Sequence, residues 1–283
     1  MKMFTKLVLV SSMAISANAM AMQSMDDAAL SATTGQDGIT LNIKTTSGIS
    51  IDNLYIHDND GYNSSNKAGA IVISGNGVAG HVNETAGVVL SDVNLDLVID
   101  SDGGASAGGA FLNVLATVGA MDIDIGSIGV GTSGTLNTTT AVRGATDVNE
   151  ILTGLSLSLG EVTANVQLGA TPQGAMIKID SELQGGLTIS NLGLKDNGAN
   201  GGGVIHLDNI YVRGTGGSSA GDLVIDADIN VTTNGLEITN NDNNAMNVYI
   251  QGVRLGSNSA ASIGDVEVNG LRTGGSTITI SGH

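Results

Sequence analysis

A six-residue pattern recurs seven times in this chain: apolar, any, small or polar, apolar, any, apolar. Its copies are Ile51-Asp52-Asn53-Leu54-Tyr55-Ile56, Leu90-Ser91-Asp92-Val93-Asn94-Leu95, Ile125-Gly126-Ser127-Ile128-Gly129-Val130 and Ile189-Ser190-Asn191-Leu192-Gly193-Leu194. Leu207-Asp208-Asn209-Ile210-Tyr211-Val212, Ile250-Gln251-Gly252-Val253-Arg254-Leu255 and Ile263-Gly264-Asp265-Val266-Glu267-Val268 complete the set. Side chains alternate faces along a strand, so apolar residues three apart break the alternation. A bulge or bend restores it, and Asn, Asp, Gly or Ser at the break tolerates the backbone angles required. The pattern therefore describes strands that turn a corner while both halves keep one face apolar.

The rest of the chain agrees with strands. Plain alternation runs through Leu155-Ser156-Leu157-Ser158-Leu159 and Thr277-Ile278-Thr279-Ile280, whereas helical periodicity is nearly absent. A single proline, Pro172, leaves almost every backbone N–H free to join a ladder. Segments 61–69, 102–109, 131–140, 197–203, 214–221 and 240–244 are rich in Gly, Ser and Asn and read as turns. With 42 Gly, two Phe, four Tyr and no Trp, large aromatic anchors cannot fill the core. A thin interior of small and β-branched side chains is expected instead. The fold class is all-β: an elongated, irregular β-solenoid or β-roll-like structure with bulged or cornered strands, with a β-sandwich as the alternative. The spacing between copies is uneven, which argues against rungs of equal length.

The N-terminus carries an export signal. Lys2 and Lys6 precede the apolar Leu7-Val8-Leu9-Val10 and Met13-Ala14-Ile15, followed by Ala17-Asn18-Ala19 and Ala19-Met20-Ala21. That order fits a signal peptide over residues 1–21, cleaved after Ala19 or Ala21, and the apolar run is too short to span a bilayer. Residues 22–283 then form a single all-β domain, in which only 25–32 reads as a short helix. The chain has no cysteine, which excludes both disulfides and a lipid-modified cysteine. It carries 10 Lys and Arg against 27 Asp and Glu, a net charge of −17. Such a charge opposes binding to nucleic acid and keeps a repetitive sheet surface soluble. No transmembrane anchor is expected. An outer-membrane barrel would need aromatic girdles that this composition cannot supply.

Catalytic constellations are missing. Gly75-Asn76-Gly77-Val78-Ala79-Gly80 matches G-x-G-x-x-G, but no helix is predicted after it to face a pyrophosphate, so a turn is expected. His57, His81, His206 and His283 have no ligand-like spacing, and no nucleophile elbow is present. Neither an enzyme nor a bound cofactor is expected, apart from calcium. Asp58-Asn59-Asp60-Gly61 offers oxygen ligands before a tight turn, with Asp58 and Asp60 as the candidate ligands.

The segment Met22-Gln23-Ser24-Met25-Asp26-Asp27-Ala28-Ala29-Leu30-Ser31-Ala32-Thr33-Thr34-Gly35-Gln36-Asp37-Gly38-Ile39 resembles the opening of the FilA-type pilus-system proteins and related exported proteins of Gram-negative bacteria. The motif positions are Leu30, Ser31, Thr34, Gly35, Gln36 and Gly38; Thr33 departs from the bulky residue usual there. The resemblance covers about twenty residues. It implies an extracytoplasmic, surface-associated or pilus-linked role; together with the signal pattern, the repeated strands and the missing catalytic constellation, the expectation is an exported, non-enzymatic structural or adhesion-associated protein of a pilus or surface-fibre system, at the cell surface, outside the cell or in the periplasm. Its partners would be proteins at the cell surface or further copies joined through sheet edges; Ser276-Thr277-Ile278-Thr279-Ile280-Ser281 is uncharged and β-prone, as such an edge requires. The alternative function is a carbohydrate-binding or carbohydrate-active β-solenoid protein. For that function the available tyrosines are Tyr55, Tyr62, Tyr211 and Tyr249, with Tyr55 and Tyr211 at equivalent points of the repeated pattern.

Overall fold

A computed structural model describes residues 38–62, 67–104, 108–198 and 201–282. The signal segment 1–21, the short helix at 25–32 and the motif residues Leu30, Ser31, Thr34, Gly35 and Gln36 lie outside the described residues. Every regular element among those described is a strand, so the all-β class holds.

The twenty strands are pieces of eight long legs, each turning back on the one before. Leg 1 joins β1 (Ile39–Lys44), β2 (Ile49–Ile51) and β3 (Leu54–His57). Leg 2 joins β4 (Gly69–Ser74), β5 (Val88–Ser91) and β6 (Asn94–Asp102). Leg 3 is β7 (Phe111–Val118), β8 (Met121–Ile125) and β9 (Ser127–Ser133). Leg 4 is β10 (Ala145–Leu152), β11 (Leu155–Leu159) and β12 (Val162–Gly169). Legs 5 and 6 have two strands each: β13 (Ile177–Leu183) with β14 (Leu187–Lys195), and β15 (Val204–Gly214) with β16 (Leu223–Thr232). So do legs 7 and 8: β17 (Gly235–Asn240) with β18 (Met246–Leu255), and β19 (Ser262–Leu271) with β20 (Thr277–Ile280).

Each leg contributes to two sheets. The first has the order β1-β6-β7-β12-β13-β16-β17-β20, which is legs 1 to 8 in sequence. The second repeats that sequence of legs: β2-β5-β8-β11 and β3-β4-β9-β10 converge on β14, which continues to β15, β18 and β19. All strand pairs are antiparallel and neither sheet closes. Nearest-neighbour hairpins explain how so few large side chains suffice, because each leg finds its partner locally and loop-closure costs stay small. Pro172 falls in the turn between legs 4 and 5, where no ladder hydrogen bond is lost.

Register makes each sheet two-faced. In the first sheet one row of directly opposed residues crosses all eight legs: Ile39, Ile99, Val114, Val166, Ile177, Ile229, Ile238 and Ile278. The second sheet has its own row: Ile49, Leu90, Ile123, Leu157, Ile189, Ile210, Ile250 and Val266. The opposite faces are polar. Asp124, Ser156, Ser190, Asn209 and Gln251 form one such row, with Ser156 Oγ donating to Asp124 Oδ1 (2.5 Å), Ser190 Oγ to Asn209 Oδ1 (2.8 Å) and Asn209 Nδ2 to Gln251 Oε1 (3.1 Å).

Few apolar side chains are buried among the described residues: Ala70 and Val72 in β4, Ala86 just before β5, Ala175 just before β13, and two at bends from one sheet to the other. Val93, beside the bend between β5 and β6, and Leu183, at the bend between β13 and β14, are buried. Asp92 makes its bend with φ of 56°, a left-handed conformation that Asp tolerates better than most side chains.

Candidate functional site

The sequence pattern maps onto one feature. Six of its seven copies lie in the second sheet, on legs 1, 3 and 5 to 8, and their breaks fall in line with the interruptions of legs 2 and 4 across the strands. The copy at Leu90–Leu95 instead marks the bend between β5 and β6. Asn191 (φ 61°) and Gly252 (φ 69°) take the left-handed backbone that the pattern anticipates at its third position. A Cβ on Gly252 would also collide with the Asp208 carboxylate, and one on Gly126 with the carbonyl of Ser74. Across the line the ladder is carried by single bonds: Gly87 N–H donates to Asp52 O (2.9 Å), Gly126 N–H to Gly87 O (2.8 Å) and Thr153 N–H to Gly193 O (2.9 Å).

At this line leg 2 leaves the sheet as a loop, residues 75–87, and returns. The G-x-G-x-x-G match opens that loop and no helix follows it, so it is a turn, as expected. Asn83, fully buried, pins the loop by donating from Nδ2 to Ala86 O (3.0 Å) and to Asp124 O (3.1 Å) on leg 3. Asn76 Nδ2 lies 3.0 Å from His81 Nδ1, and Asn76 Oδ1 accepts from the Val78 N–H (2.9 Å). The loop thereby roofs one end of a cleft of about 290 Å³, whose floor is the break line in legs 3 to 6.

The break line also holds a set of paired charges. Arg254 donates from Nε and Nη2 to the two oxygens of Asp208, at 2.9 and 2.6 Å, and His206 Nε2 stands 3.4 Å from Asp208 Oδ1. The Arg254 hydrogen bonds, with His206 adding to them, hold Asp208 below the usual aspartate value. Asp265 accepts from the Gly252 N–H (2.8 Å) and from Tyr249 Oη (2.6 Å), which lowers its pKa and raises that of Tyr249. Burial raises Glu150, but hydrogen bonds from Lys195 (2.6 Å) and Ser127 (2.7 Å) outweigh it and its pKa is lowered. Apart from His206 and Asp208, neighbours on β15, these partners are 13 to 46 residues apart and are brought together by the register of the legs.

The residues singled out from sequence are dispersed. Asp58 and Asp60 occupy the turn after β3, where Asp58 accepts from the Gly61 N–H (3.1 Å) and the Asp60 N–H (3.4 Å). A side-chain hydrogen bond with Asp60 and these backbone donors lower its pKa. Among the described residues no three acidic or histidine side chains are grouped to hold a metal ion. Gly38, the one described motif residue, leads into β1 with φ of 151°. Tyr55 packs parallel to His57, with ring centroids 5.8 Å apart, and His57 Nδ1 lies 2.7 Å from Ser133 Oγ. Tyr211 sits opposite Tyr249 beneath the Arg213 guanidinium. The described residues contain no helix long and apolar enough to cross a membrane.

A model described as a family of unknown function (DUF6160) matches residues 1–103. No curated protein and no solved structure matches the chain.

Proposed function

We propose that this chain is an exported, non-enzymatic structural subunit that joins further copies edge to edge in a surface fibre or adhesive layer. The observation that carries this reading is the parity of the legs. Leg 1 runs from the first sheet to the second and leg 8 runs back, so a translated second copy would set its leg 1 antiparallel to leg 8. Both sheets would then continue across the joint, first sheet to first and second to second. Such a head-to-tail contact does not close on itself and propagates as a filament.

The apolar rows support the same reading. They end at exposed side chains on both flanks: Ile39 (58 %) and Ile278 (59 %) in the first sheet, Ile49 and Val266 in the second. Along β19 and β20 every residue is exposed, although their sequences alternate like those of the central legs. A long, flat, apolar-faced edge is the surface that pairs with another chain. Two open antiparallel sheets joined at the bends of the legs are compatible with a sandwich-like arrangement as well as with an irregular solenoid.

Export rests on the N-terminal signal pattern, and the pilus-linked setting on the resemblance around Leu30 to Gly38. Shearing intact cells and probing surface, outer-membrane, periplasmic and medium fractions tests the assignment. Recovery in the sheared surface fraction is expected; confinement to the soluble periplasm would remove it. Calcium at Asp58 and Asp60 is a subsidiary proposal, and a calcium-dependent rise in melting temperature that Asp58→Asn abolishes is its test.

A further inference from the structure

We infer that the apolar face of the first sheet is an interface, on which a second copy of this chain packs face to face. Beside the row from Ile39 to Ile278 another row crosses the same face: Leu41, Leu97, Ala116, Ala164, Ile179 and Ala227. Every charged residue of these eight strands falls at the alternate positions, and so on the opposite face. Asp96, Asp100, Asp180, Asp226, Asp228 and Glu237 are among them.

Among the described residues nothing covers the apolar face. No residue of either row is buried. Along β16, Ile225, Ala227 and Ile229 are half-buried, and so are the intervening Asp226 and Asp228. Equal cover on both sides is what a single layer of sheet gives. A second sheet packed about 10 Å away would bury the inward side chains and leave the outward ones wet.

Area, charge and composition select another copy as that second layer. Eight strands of about seven residues make a face of about 900 Å², against the roughly 800 Å² per partner that a stable contact buries. Two chains of net charge −17 repel each other, and this face lets them meet with their acidic sides outward. Those acids then stand about 20 Å apart across the two sheets, beyond the Debye length of about 8 Å in physiological salt. A lipid surface fits less well, since interfacial segments present basic and large aromatic residues. This face has neither, and Phe111 points to the polar side. Its aliphatic rows suit interdigitation with an identical face. Such a contact is isologous and closes at two copies, unlike the edge contact between leg 8 and leg 1, which propagates. The inference therefore does not rest on edge-to-edge assembly.

The test uses the mature chain carrying Ile278→Lys and Ile280→Lys, which block the edge while their ammonium groups reach water past the last strand. Sedimentation equilibrium should give a dimer, with a melting temperature that rises with protein concentration. Ala116→Lys, in the middle of the face, should weaken pairing about a hundredfold or more, because each pair buries two such charges. Thr117→Lys, the next residue of β7 but on the polar face, should leave pairing unchanged. The chain has no cysteine, so Ala116→Cys gives a second reading that needs no charged variant to fold. Its thiol should be shielded from alkylation where the pair forms and should react on dilution, whereas the Thr117→Cys thiol should react throughout. A parent chain that stops at the same dimer would support the face contact and count against the edge contact alone. A monomer at every concentration would overturn the inference, as would a dimer that Ala116→Lys leaves intact. So would a monomer whose thiol at position 116 is shielded only by neutral phosphatidylcholine vesicles, which would give the face to lipid.

Discussion

Legs 5 to 7 and leg 8 are written in the same alternating code, yet they end in different environments. In β14 and β15 the residues of the apolar row are flanked on both sides, Ile189 by Leu157 and Ile210, and Ile210 by Ile189 and Ile250. In β20, Ile278 has Ile238 on one side and solvent on the other. The central legs obtain from neighbours what leg 8 lacks within a single copy. An apolar face in a thin sheet is thus protected by the next strand rather than by large side chains beneath it. The last strand keeps the pattern of a strand that has a neighbour on each side.

Placing the same charge at the two ends of one row sharpens this contrast. Ile229→Lys, in the middle of the first sheet's apolar row, is expected to cost about 3 kcal/mol, read as a lower urea midpoint. Ile278→Lys at the flank should cost under about 0.5 kcal/mol and act on association instead. Equal losses would show that the flanks are not edges. At the bend, Leu183→Ala should cost about 2–3 kcal/mol, since it removes one of the few buried apolar side chains. At the break line, Gly252→Val imposes a β-branched residue on φ of 69° and drives it against Asp208. A loss of about 2 kcal/mol is expected, and a thermal melt of the variant measures it.

The acid side of the stability profile follows from the break-line carboxylates. Asp208, Asp265 and Glu150 have folded pKa values lowered from their ordinary ones. Their stabilisation is therefore complete above the unfolded values, about 4, and lost as pH falls through the lowered folded values. Melting temperature should hold at neutral pH and fall below about pH 4, and Arg254→Gln should flatten that fall. A small effect of opposite sign is expected on the polar face of the first sheet, where Asp180 lies directly opposite Asp226. Asp180→Asn relieves a like-charge pair and should stabilise by about 0.5 kcal/mol, visible as a small rise in melting temperature.

Much of this architecture is legible in the sequence because strand physics is local. The seven-fold pattern marks its breaks at Asn191 and Gly252, where the backbone does turn left-handed, and Asp92 marks a bend between the sheets. The turn reading of the glycine motif at Gly75 also holds, because nothing helical follows it. Register is another matter. That the breaks of six legs align in one line depends on hairpin lengths, and no pattern within a single leg encodes it. The cleft was illegible for the same reason: Asn76, Ser156, His206 and Asn258 belong to different legs, and a lone histidine beside apolar strand residues carries no signal. Asp58 and Asp60, conspicuous in the sequence, stand together in one turn, where Asp58 accepts from the backbone of Asp60 and Gly61.

The central claim, that leg 8 of one copy receives leg 1 of the next, is tested most directly by sedimentation velocity of the mature chain over a range of concentration and salt. With a net charge of −17 opposing contact, screening should promote association. A ladder of open-ended oligomers is expected, growing with concentration and salt and abolished by Ile278→Lys together with Ile280→Lys. A single monomeric species under all these conditions, or oligomers indifferent to the edge substitutions, would contradict it.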